Sequence, residues 1–470
     1  MAEDSTLISP DLDMIFSRNT DNIPLSTSTV LGLSSDQPQQ NQQQSQIPPS
    51  PAAHTRQLLI TCAELLSQSN FPAAHRLVSY LSSTSSSPYG DSTERLVHQF
   101  AKALSIRLNR TVSASAPPMI SPSLSCVPYF SPLQPAMTNA SSGTSSSSMC
   151  GVTSTGSGLA LLQMEVVDDL VQHQLQSSYI CLNQVTPFIR FSHLTANQAI
   201  LEAIEGQDFI HILDFDTIMQ GVQWPPLMQA IAGYSNPPSM IRITGTGHDL
   251  ESLGRTGQRL ENFAKSLGLR FQFHPLLLLD SSSVSLQLTS SIALLPEETL
   301  VVNCVLYLHR LLNRSDEEVR LFLRTIKTLK PRMVTLAERE ANFNNPIFSH
   351  RFLEALDHYT ALFDSMEATL PPNNRERLAV EQVWFGREIM DVVAAEGEER
   401  RERYERYQNW AEKMRRSGFS NVPLSPFAVS QAKLLLRLHY PSEGYQLLIL
   451  NDSLFLGWQN HSLFSVSSWH

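Results

Sequence analysis

Two carboxylates that follow an apolar segment are the side chains best placed for binding chemistry. The segment Phe209–Asp214 is apolar almost throughout, which predicts a strand buried on both faces of a sheet. Asp214 ends this strand, and Asp216 stands just beyond it, before a turn that reaches Gly221. Because ligands of open α/β sheets bind beyond the carboxyl ends of the strands, the sequence places its best pocket candidate here.

A nucleotide or S-adenosylmethionine at this turn would require several glycines, whose backbone amides approach the ligand at the start of a helix. The turn contains a single glycine, Gly221, and no Gly-x-Gly-x-x-Gly or Walker pattern follows the strand. The second strand, through Thr244, lacks the acidic residue that would hold ribose hydroxyls, although Asp249 follows closely. We therefore expect no cofactor, and buried carboxylates bonded to backbone amides. A methyltransferase-like enzyme or a small-ligand sensor that uses Asp214 and Asp216 is the alternative.

The other polar residues give no clear sign of catalysis or metal binding. His211 lies inside the first strand and is expected to be a core histidine, and the pair His309 and Arg310 is likewise expected to be structural. The Gly-Ser-Gly sequence at 156–158 lies in a Ser-rich segment that could not hold the strained turn of a nucleophilic serine. The five cysteines form no Cys-x-x-Cys pair and no cluster with histidine, which predicts a reducing compartment and no structural zinc.

The elements that would position the carboxylates alternate between strand and helix patterns. The predicted strands, with helices between them, are Phe209–Asp214, Ile241–Thr244, Leu269–Phe273, Leu300–Val305 and Arg332–Leu336. This order predicts an α/β fold with a mostly parallel, doubly wound sheet. The region from Pro346 to about Arg416 is expected to be mostly helical. The segments Tyr445–Leu450 and Leu454–Trp469 are expected to form antiparallel strands that close the sheet edge.

The region before the predicted sheet divides into three segments. Residues 1–50 are rich in Ser, Gln, Asn and Pro, and a disordered arm is expected there because so few apolar groups cannot offset the ordering entropy. Residues 51–110 carry leucines at helical spacing. Residues 111–158 are rich in Ser and Pro and are expected to form a flexible linker.

The leucine-rich helices of residues 51–110 admit two interpretations. Their apolar faces could belong to the core of the protein, or they could be kept for a partner helix. The candidate partner-binding residues are Leu58, Leu59, Leu65, Leu66, Leu77, Leu96 and Phe100.

The charge balance bears on nucleic-acid and membrane binding. The chain has 34 Lys and Arg against 44 Asp and Glu, so its formal net charge is −10, which argues against a chain that coats phosphate backbones as a whole. The segment from Glu396 to Arg416 mixes arginines with aromatic residues, but nearby glutamates almost cancel its charge. An amphipathic helix with Tyr404, Tyr407 and Met414 on its apolar face is favoured over direct DNA binding. No apolar stretch is long enough to span a membrane.

The motifs in this order resemble those of the plant GRAS family, and the resemblance is closest to its lateral suppressor, scarecrow-like type. The corresponding blocks are the first leucine repeat at 51–110, the VHIID-type block at 176–243, the second leucine repeat at 253–285, the PFYRE-type block at 298–392 and the SAW-type block at 395–470. The residues that match the motifs are Ile210, His211, Ile212, Leu213, Asp214, Gly221, Gln223, Trp224, Pro225, Pro346, Tyr359, Arg387, Glu388, Trp410, Trp458 and Trp469.

The resemblance implies both a fold and a function. It implies a Rossmann-like, methyltransferase-like core with an α-helical cap over residues 51–110, and a GRAS domain that extends from 51 to 470. It further implies a nuclear, non-enzymatic transcriptional regulator that binds DNA-binding transcription factors and other GRAS proteins, as a homodimer or heterodimer, and reaches promoter DNA mainly indirectly. The lateral suppressor type implies a role in axillary meristem initiation and shoot branching.

Overall fold

The computed structural model describes residues 51–115, 173–215, 221–278, 288, 291–292, 294–312 and 315–470. The predicted arm at 1–50 and Asp216 lie outside these residues, as does the predicted linker from residue 116 onward. The linker prediction was wrong at its start, because the helix Ser92–Ser115 continues through residues 111–115.

Strands of the described residues form one nine-stranded sheet. The strands are β1 Phe209–Asp214, β2 Met240–Gly247, β3 Phe271–Leu277, β4 Thr299–Val305, β5 Met333–Arg339, β6 Asn421–Val422, β7 Tyr445–Leu450, β8 Ser453–Trp458 and β9 His461–Trp469. Their order is β3-β2-β1-β4-β5-β9-β8-β7, and β6 pairs with β9. Strands β1 to β5 are parallel, whereas β9 is antiparallel to β5 and to β8. The doubly wound, Rossmann-like core is confirmed.

The helices flank the sheet and build the cap. They are α1 Pro51–Ser67, α2 Phe71–Thr84, α3 Ser92–Ser115, α4 173–185, α5 Pro187–Ala203, α6 Trp224–Ala232, α7 Leu250–Ser266, α8 Leu308–Leu311, α9 Asp316–Thr328, α10 Phe348–Thr369, α11 Arg375–Ala379, α12 Gly386–Ala394, α13 Tyr407–Arg416 and α14 Pro426–His439. A π-helix, Val380–Phe385, joins α11 to α12. None of the described helices combines the length and apolar character needed to cross a membrane.

Local sequence explains where the cap helices begin. The Asn70 side chain accepts a hydrogen bond from the Ala73 amide, and the Asp91 carboxylate accepts one from the Glu94 amide, at 2.9 Å. Both are N-cap bonds that satisfy amides left free in the first helical turn. Helix α9 differs, because it begins beside Ser315 but the Ser315 hydroxyl makes no capping bond.

The cap is part of the main core of the protein and does not form a detached unit. Helix α3 packs against α10 and α12. Arg95 on α3 is buried and bonds Glu381 of the π-helix at 2.7 Å. The ring of Phe100 packs edge-on against Phe352 of α10, with centroids 5.4 Å apart. The cap therefore packs directly against α10 and α12, the helices of the PFYRE-type block.

Register at the centre of the sheet determines which polar residues meet. Asp214 at the end of β1 is paired with Asn303 of β4, and Asn303 is paired with Thr335 of β5. Because neighbouring residues of parallel strands point to the same face, these three side chains form a row across the sheet. The row begins between β1 and β4, where the strand order reverses, and this switch point is where open α/β sheets bind ligands.

Candidate functional site

A buried network built around three amide side chains occupies the switch point. We call it the amide network; its members are Asn197, Asp214, Gln223, Trp224, Asn303 and Thr335, all buried. Strands β1, β4 and β5 supply three of them, α5 supplies Asn197, and the start of α6 supplies the other two. The proline at Pro225 fits this helix start, where its missing amide hydrogen costs nothing.

The Asp214 carboxylate is held by two donors from different elements. The Trp224 indole donates to Oδ2 at 2.8 Å, and the Asn303 side-chain amide donates to Oδ1 at 3.0 Å. The sequence predicted backbone amides as the donors, so the prediction missed these two side chains. Both carboxylate oxygens are thus engaged by the protein itself.

The remaining members bond to one another. Gln223 exchanges hydrogen bonds with Asn303, at 3.0 and 3.2 Å, and donates to Asn197 Oδ1 at 3.0 Å. Asn197 donates to the backbone carbonyl of Gln223 at 2.9 Å, and the Thr335 hydroxyl donates to Asn303 Oδ1 at 2.8 Å. A network of this kind, in which every member is hydrogen-bonded, fixes a single side-chain arrangement, because a lost bond leaves a buried polar group with one partner fewer.

Gly221 lies against the helix that follows β2. Its φ is +62°, and a Cβ atom there would lie 3.1 Å from Thr256 and 3.2 Å from Leu260, both on α7. Backbone conformation and close approach together explain the glycine of the motif. The residue is therefore needed for packing.

His211 is a core histidine, as the sequence predicts. Arg242 donates to its Nδ1 at 3.2 Å, since an arginine side chain can only donate hydrogen bonds. The ring hydrogen is therefore on Nε2, which donates to Thr244 Oγ1 at 2.8 Å. Burial, and then the Arg242 charge, lower the pKa of His211 to about 4. Ile210, Ile212 and Leu213 of the same motif are buried apolar residues.

A second buried polar group lies beside the amide network, at the carboxyl end of β5. We call it the charged cluster; its members are His309, Glu338, Arg339, Tyr359, Arg387, Glu388, Glu402 and Tyr404. Arg339 and Glu388 are both buried and are joined at 2.6 Å. The Tyr359 hydroxyl donates to the other Glu388 oxygen at 3.0 Å. The motif residues Tyr359 and Glu388 therefore share one ion pair with a strand residue that the sequence analysis missed.

The other half of the charged cluster surrounds His309. Its Nδ1 donates to Glu338 at 2.9 Å, and its ring stacks on Tyr404, with centroids 4.0 Å apart. Arg387 donates to Glu402 at 3.2 Å and its side chain is 40% exposed. The structural role that the sequence assigned to His309 is confirmed by these contacts.

The charged cluster is less fully bonded than the amide network. The buried Nε and Nη1 atoms of Arg339 have no hydrogen-bond acceptor among the described residues, although the guanidinium lies 5.2 Å from the ring centre of Tyr404. Burial raises the pKa of Glu388 to about 7, against the opposing attraction of Arg339. Burial likewise raises the pKa of Glu340, the residue after Arg339, to about 7.

The predicted amphipathic helix over 396–416 was wrong in its first half. Helix α13 begins only at Tyr407, and residues 400–406 are not helical. The Asp391 carboxylate accepts hydrogen bonds from the backbone amides of Arg401 and Glu402, and the Arg403 side chain donates to the backbone carbonyl of Gly397 at 2.6 Å. These tertiary bonds replace the helical ones.

Tryptophans of the SAW-type block are packing residues. Trp410, Trp458 and Trp469 are buried, and the Trp469 indole donates to the Ser467 hydroxyl at 2.9 Å. At the other end of the mostly helical region, the Pro346 carbonyl accepts a hydrogen bond from Arg351 at 3.4 Å. These motif residues stabilise the C-terminal sheet and its helices, away from the switch point.

Four of the seven candidate partner-binding residues are inside the protein. Leu59, Leu66, Leu96 and Phe100 are buried in the main core, so their side chains are not available to a partner in this structure. Leu58, Leu65 and Leu77 are partly buried against the same core. For the buried four, the structure agrees with the alternative interpretation of internal core helices.

The network members that the sequence analysis missed are Asn197, Asn303 and Thr335. Asn303 and Thr335 interrupt otherwise apolar strands, and a polar residue inside such a strand must find a buried partner. That signal was present in the sequence. Among the described residues, no group of three His, Cys, Asp or Glu side chains is arranged to hold a metal ion.

Comparisons with known proteins agree with the motif order. A model of the GRAS domain family matches residues 55–142 and 144–470. Scarecrow-like protein 18 of Arabidopsis thaliana is 52% identical over 424 residues, which cover 88% of this chain and 91% of that protein. Protein MONOCULM 1 of Oryza sativa subsp. japonica is 40% identical over 440 residues, 88% of each chain. The crystal structure of SCL7 in Oryza sativa matches with a TM-score of 0.66 and 32% identity, and covers 90% of this chain and 100% of that one.

Proposed function

This chain belongs to the GRAS domain family of plant transcriptional regulators, and from that premise we propose that it acts in the nucleus as a non-enzymatic scaffold. In this proposal it binds DNA-binding transcription factors and reaches promoter DNA mainly through them. It also pairs with other GRAS proteins or with a second copy of itself. Its developmental role is the initiation of axillary meristems and hence shoot branching.

The amide network is the observation that supports a scaffold over an enzyme. A cofactor at the switch point would need polar groups free to bind it, whereas Asp214 and Asn303 bond to each other and to Trp224 and Gln223. The side chains at this place are used to hold β1, β4 and α6 together. The alternative, a methyltransferase-like enzyme or ligand sensor, would have to bind through side chains that are already hydrogen-bonded to one another, or through Asp216, which lies outside the described residues.

The cap supplies a surface suited to a protein partner. Tyr80 at the end of α2 is 50% exposed, and Tyr89 before α3 is 68% exposed. Exposed tyrosines are common anchors of protein interfaces. We place the transcription-factor partner on the surface of the cap that carries these two tyrosines, together with the partly buried Leu58, Leu65 and Leu77.

The similarity to MONOCULM 1, together with the lateral suppressor resemblance of the motifs, supports the branching role. A loss-of-function line of the source plant should therefore form fewer axillary meristems, counted in sections of leaf axils, and the wild-type chain should restore them. Normal axils in that line would reject this part of the proposal.

The route to DNA can be tested with purified protein. Promoter fragments recovered with the tagged chain from nuclei should not be shifted by the purified chain alone in a gel, and should be shifted once a co-purifying transcription factor is added. A shift by the chain alone, weakened steeply by salt, would show direct phosphate binding and reject indirect recruitment.

The cap surface can be tested by substitution. The variant Tyr80→Asp/Tyr89→Asp should no longer bind the co-purifying transcription factor. The variant Leu321→Asp on α9, where the leucine is 53% exposed, is the matched control and should still bind it.

A further inference from the structure

The last strand of the sheet, β7, has one open edge. Strand β7 pairs with β8 along its whole length, and none of the other described strands pairs with its opposite edge. Three consecutive apolar residues on β7 are exposed: Leu448 by 53%, Ile449 by 59% and Leu450 by 42%. The unpaired backbone groups and these side chains form a continuous apolar edge.

This edge lacks the features that keep edge strands apart in solution. Proteins blunt such edges with lysine, proline, a bulge or a covering element. The segment Tyr445–Leu450 reads Tyr-Gln-Leu-Leu-Ile-Leu, with no charged residue and no proline, and its pairing with β8 is regular. A short, uncharged and apolar strand of this kind is an aggregation hazard when it is left open. We infer that another polypeptide covers β7 when the protein works.

A groove beside the strand indicates what kind of polypeptide it is. The groove lies between α14 and β7 and has a volume of about 580 Å³. Leu436 of α14 and Leu447 of β7 contribute its apolar lining. Lys433 and Arg437, one helical turn apart on α14, and the single carboxylate Glu443 line the same groove and are exposed. Neither cation forms a salt bridge with a described residue.

We propose that the edge of β7 and this groove bind an extended peptide segment of a partner protein, with an apolar centre and one acidic end. The segment adds to the sheet as a further strand, so its backbone bonds the free edge of β7. Its apolar side chains enter the groove beside Leu436 and Leu447. The carboxylates of its acidic end bind Lys433 and Arg437, two cations against the one carboxylate of the groove, Glu443.

Charge disfavours a second copy of this chain as the occupant. If two β7 strands paired antiparallel over Tyr445–Leu450, each Glu443 would lie opposite Asp452 of the other copy. Both residues are exposed, and like charges placed opposite each other destabilise strand pairs. This repulsion would occur at both ends of the pair. A peptide with one acidic end avoids it when its carboxylates lie beside the two cations of α14 and not opposite Glu443 or Asp452.

The test uses the full chain and a displayed library of random peptides about as long as β7. We expect enrichment of sequences with Val, Ile or Leu at the centre and Asp or Glu at the one end that lies beside Lys433 and Arg437. The variant Lys433→Glu/Arg437→Glu should bind the enriched peptides about tenfold more weakly, because two charge attractions become repulsions. Leu448→Lys, which places a charge on the edge, should also lose them. Hydrogen exchange should show slower exchange of β7 amides with peptide bound.

Two control variants keep the test specific. Leu321→Lys changes a leucine of α9 with the same 53% exposure, and Arg324→Glu/Arg415→Glu reverses two exposed charges away from β7. Both should bind the peptides as the wild type does. The proposal is overturned if no peptide is enriched, if enriched peptides lack acidic residues, or if Leu448→Lys binds them equally well. It is also overturned if sedimentation shows a dimer that Leu448→Lys dissociates. None of these outcomes bears on the proposed developmental role.

Discussion

The two buried polar groups at the carboxyl edge of the sheet compensate their buried charges in different ways. The amide network surrounds one carboxylate, Asp214, with neutral donors from Trp224 and Asn303. The charged cluster instead pairs several ions, among them Arg339 with Glu388 at 2.6 Å, and leaves two Arg339 nitrogens without an acceptor among the described residues.

The difference matters for how each group responds to change. Neutral donors can be removed one at a time, and each removal takes one hydrogen bond from a buried polar group. A buried ion pair fails as a unit, because removal of one partner leaves an uncompensated charge in the interior. We therefore expect the amide network to lose stability in small steps and the charged cluster in one large step.

The largest effect is expected from Arg339→Met. It leaves Glu388 buried without its cation and should lower the free energy of unfolding by about 3–5 kcal/mol. Urea unfolding followed by circular dichroism measures the loss. Arg255→Met, which removes the partner of Glu251 from an ion pair whose side chains are 60% and 80% exposed, should cost less than about 1 kcal/mol. Equal losses in the two variants would remove the contrast between buried and exposed ions.

The next largest effect is expected from Asn303→Leu, which keeps the approximate size of the side chain. Its loss leaves Asp214 Oδ1, Gln223 and Thr335 each without one hydrogen-bond partner, so unfolding should become easier by about 2–3 kcal/mol. The same denaturation experiment applies. A loss as large as that of Arg339→Met would mean that neutral networks also fail as a unit.

A smaller effect is expected from Thr335→Val, which has nearly the same shape. It removes only the hydroxyl that donates to Asn303 Oδ1 at 2.8 Å, at a cost of about 1 kcal/mol. In the double variant with Asn303→Leu, its further cost should nearly vanish, because the bond is already absent. Full additivity of the two losses would contradict the network described above.

The smallest effect is the pH dependence of stability, and it concerns Glu340, which follows the cluster residue Arg339 in the chain. Burial raises the pKa of Glu340 from 4.5 to about 7, so the folded state holds this proton more tightly than the unfolded state. Its contribution to stability is therefore lost as pH rises from about 4.5 to about 7. Glu340→Gln still offers an oxygen to Ser465 and should gain stability relative to the wild type over that range. Melting temperatures that fall in parallel for both proteins would contradict this assignment.

The sequence predicted β1 to the residue and β4 to within one residue, but it misplaced β3 and ended β2 too early. Strand β3 was predicted at Leu269–Phe273 and lies at Phe271–Leu277, with Pro275 inside it. Proline is tolerated because β3 is the edge strand and its missing N–H faces no partner. Strand β2 continues past Thr244 to Gly247 because pairing with β3 outweighs the low strand propensity of glycine. Tertiary pairing of this kind leaves no local signal.

The sequence predicted where the candidate site lies, but it did not predict all the residues that form it. The position of Asp214 and the helix start at Trp224 follow from local pattern, whereas Asn197, Asn303 and Thr335 come from elements far apart in the chain. Their meeting depends on the register of β1, β4 and β5, which sequence alone does not determine. The same holds for Tyr404, which stacks on His309 and lies before the start of helix α13.

The central claim is that the switch point is filled by structural side chains in a non-enzymatic scaffold. Thermal unfolding of the full chain with increasing S-adenosylmethionine, and separately with common nucleotides, tests it most directly. A ligand at 100 times its dissociation constant would add about 2.7 kcal/mol to the stability of the folded state and raise the midpoint visibly. We predict an unchanged midpoint with each compound. A saturable rise that Asn303→Leu abolishes in a protein that remains folded would contradict the account.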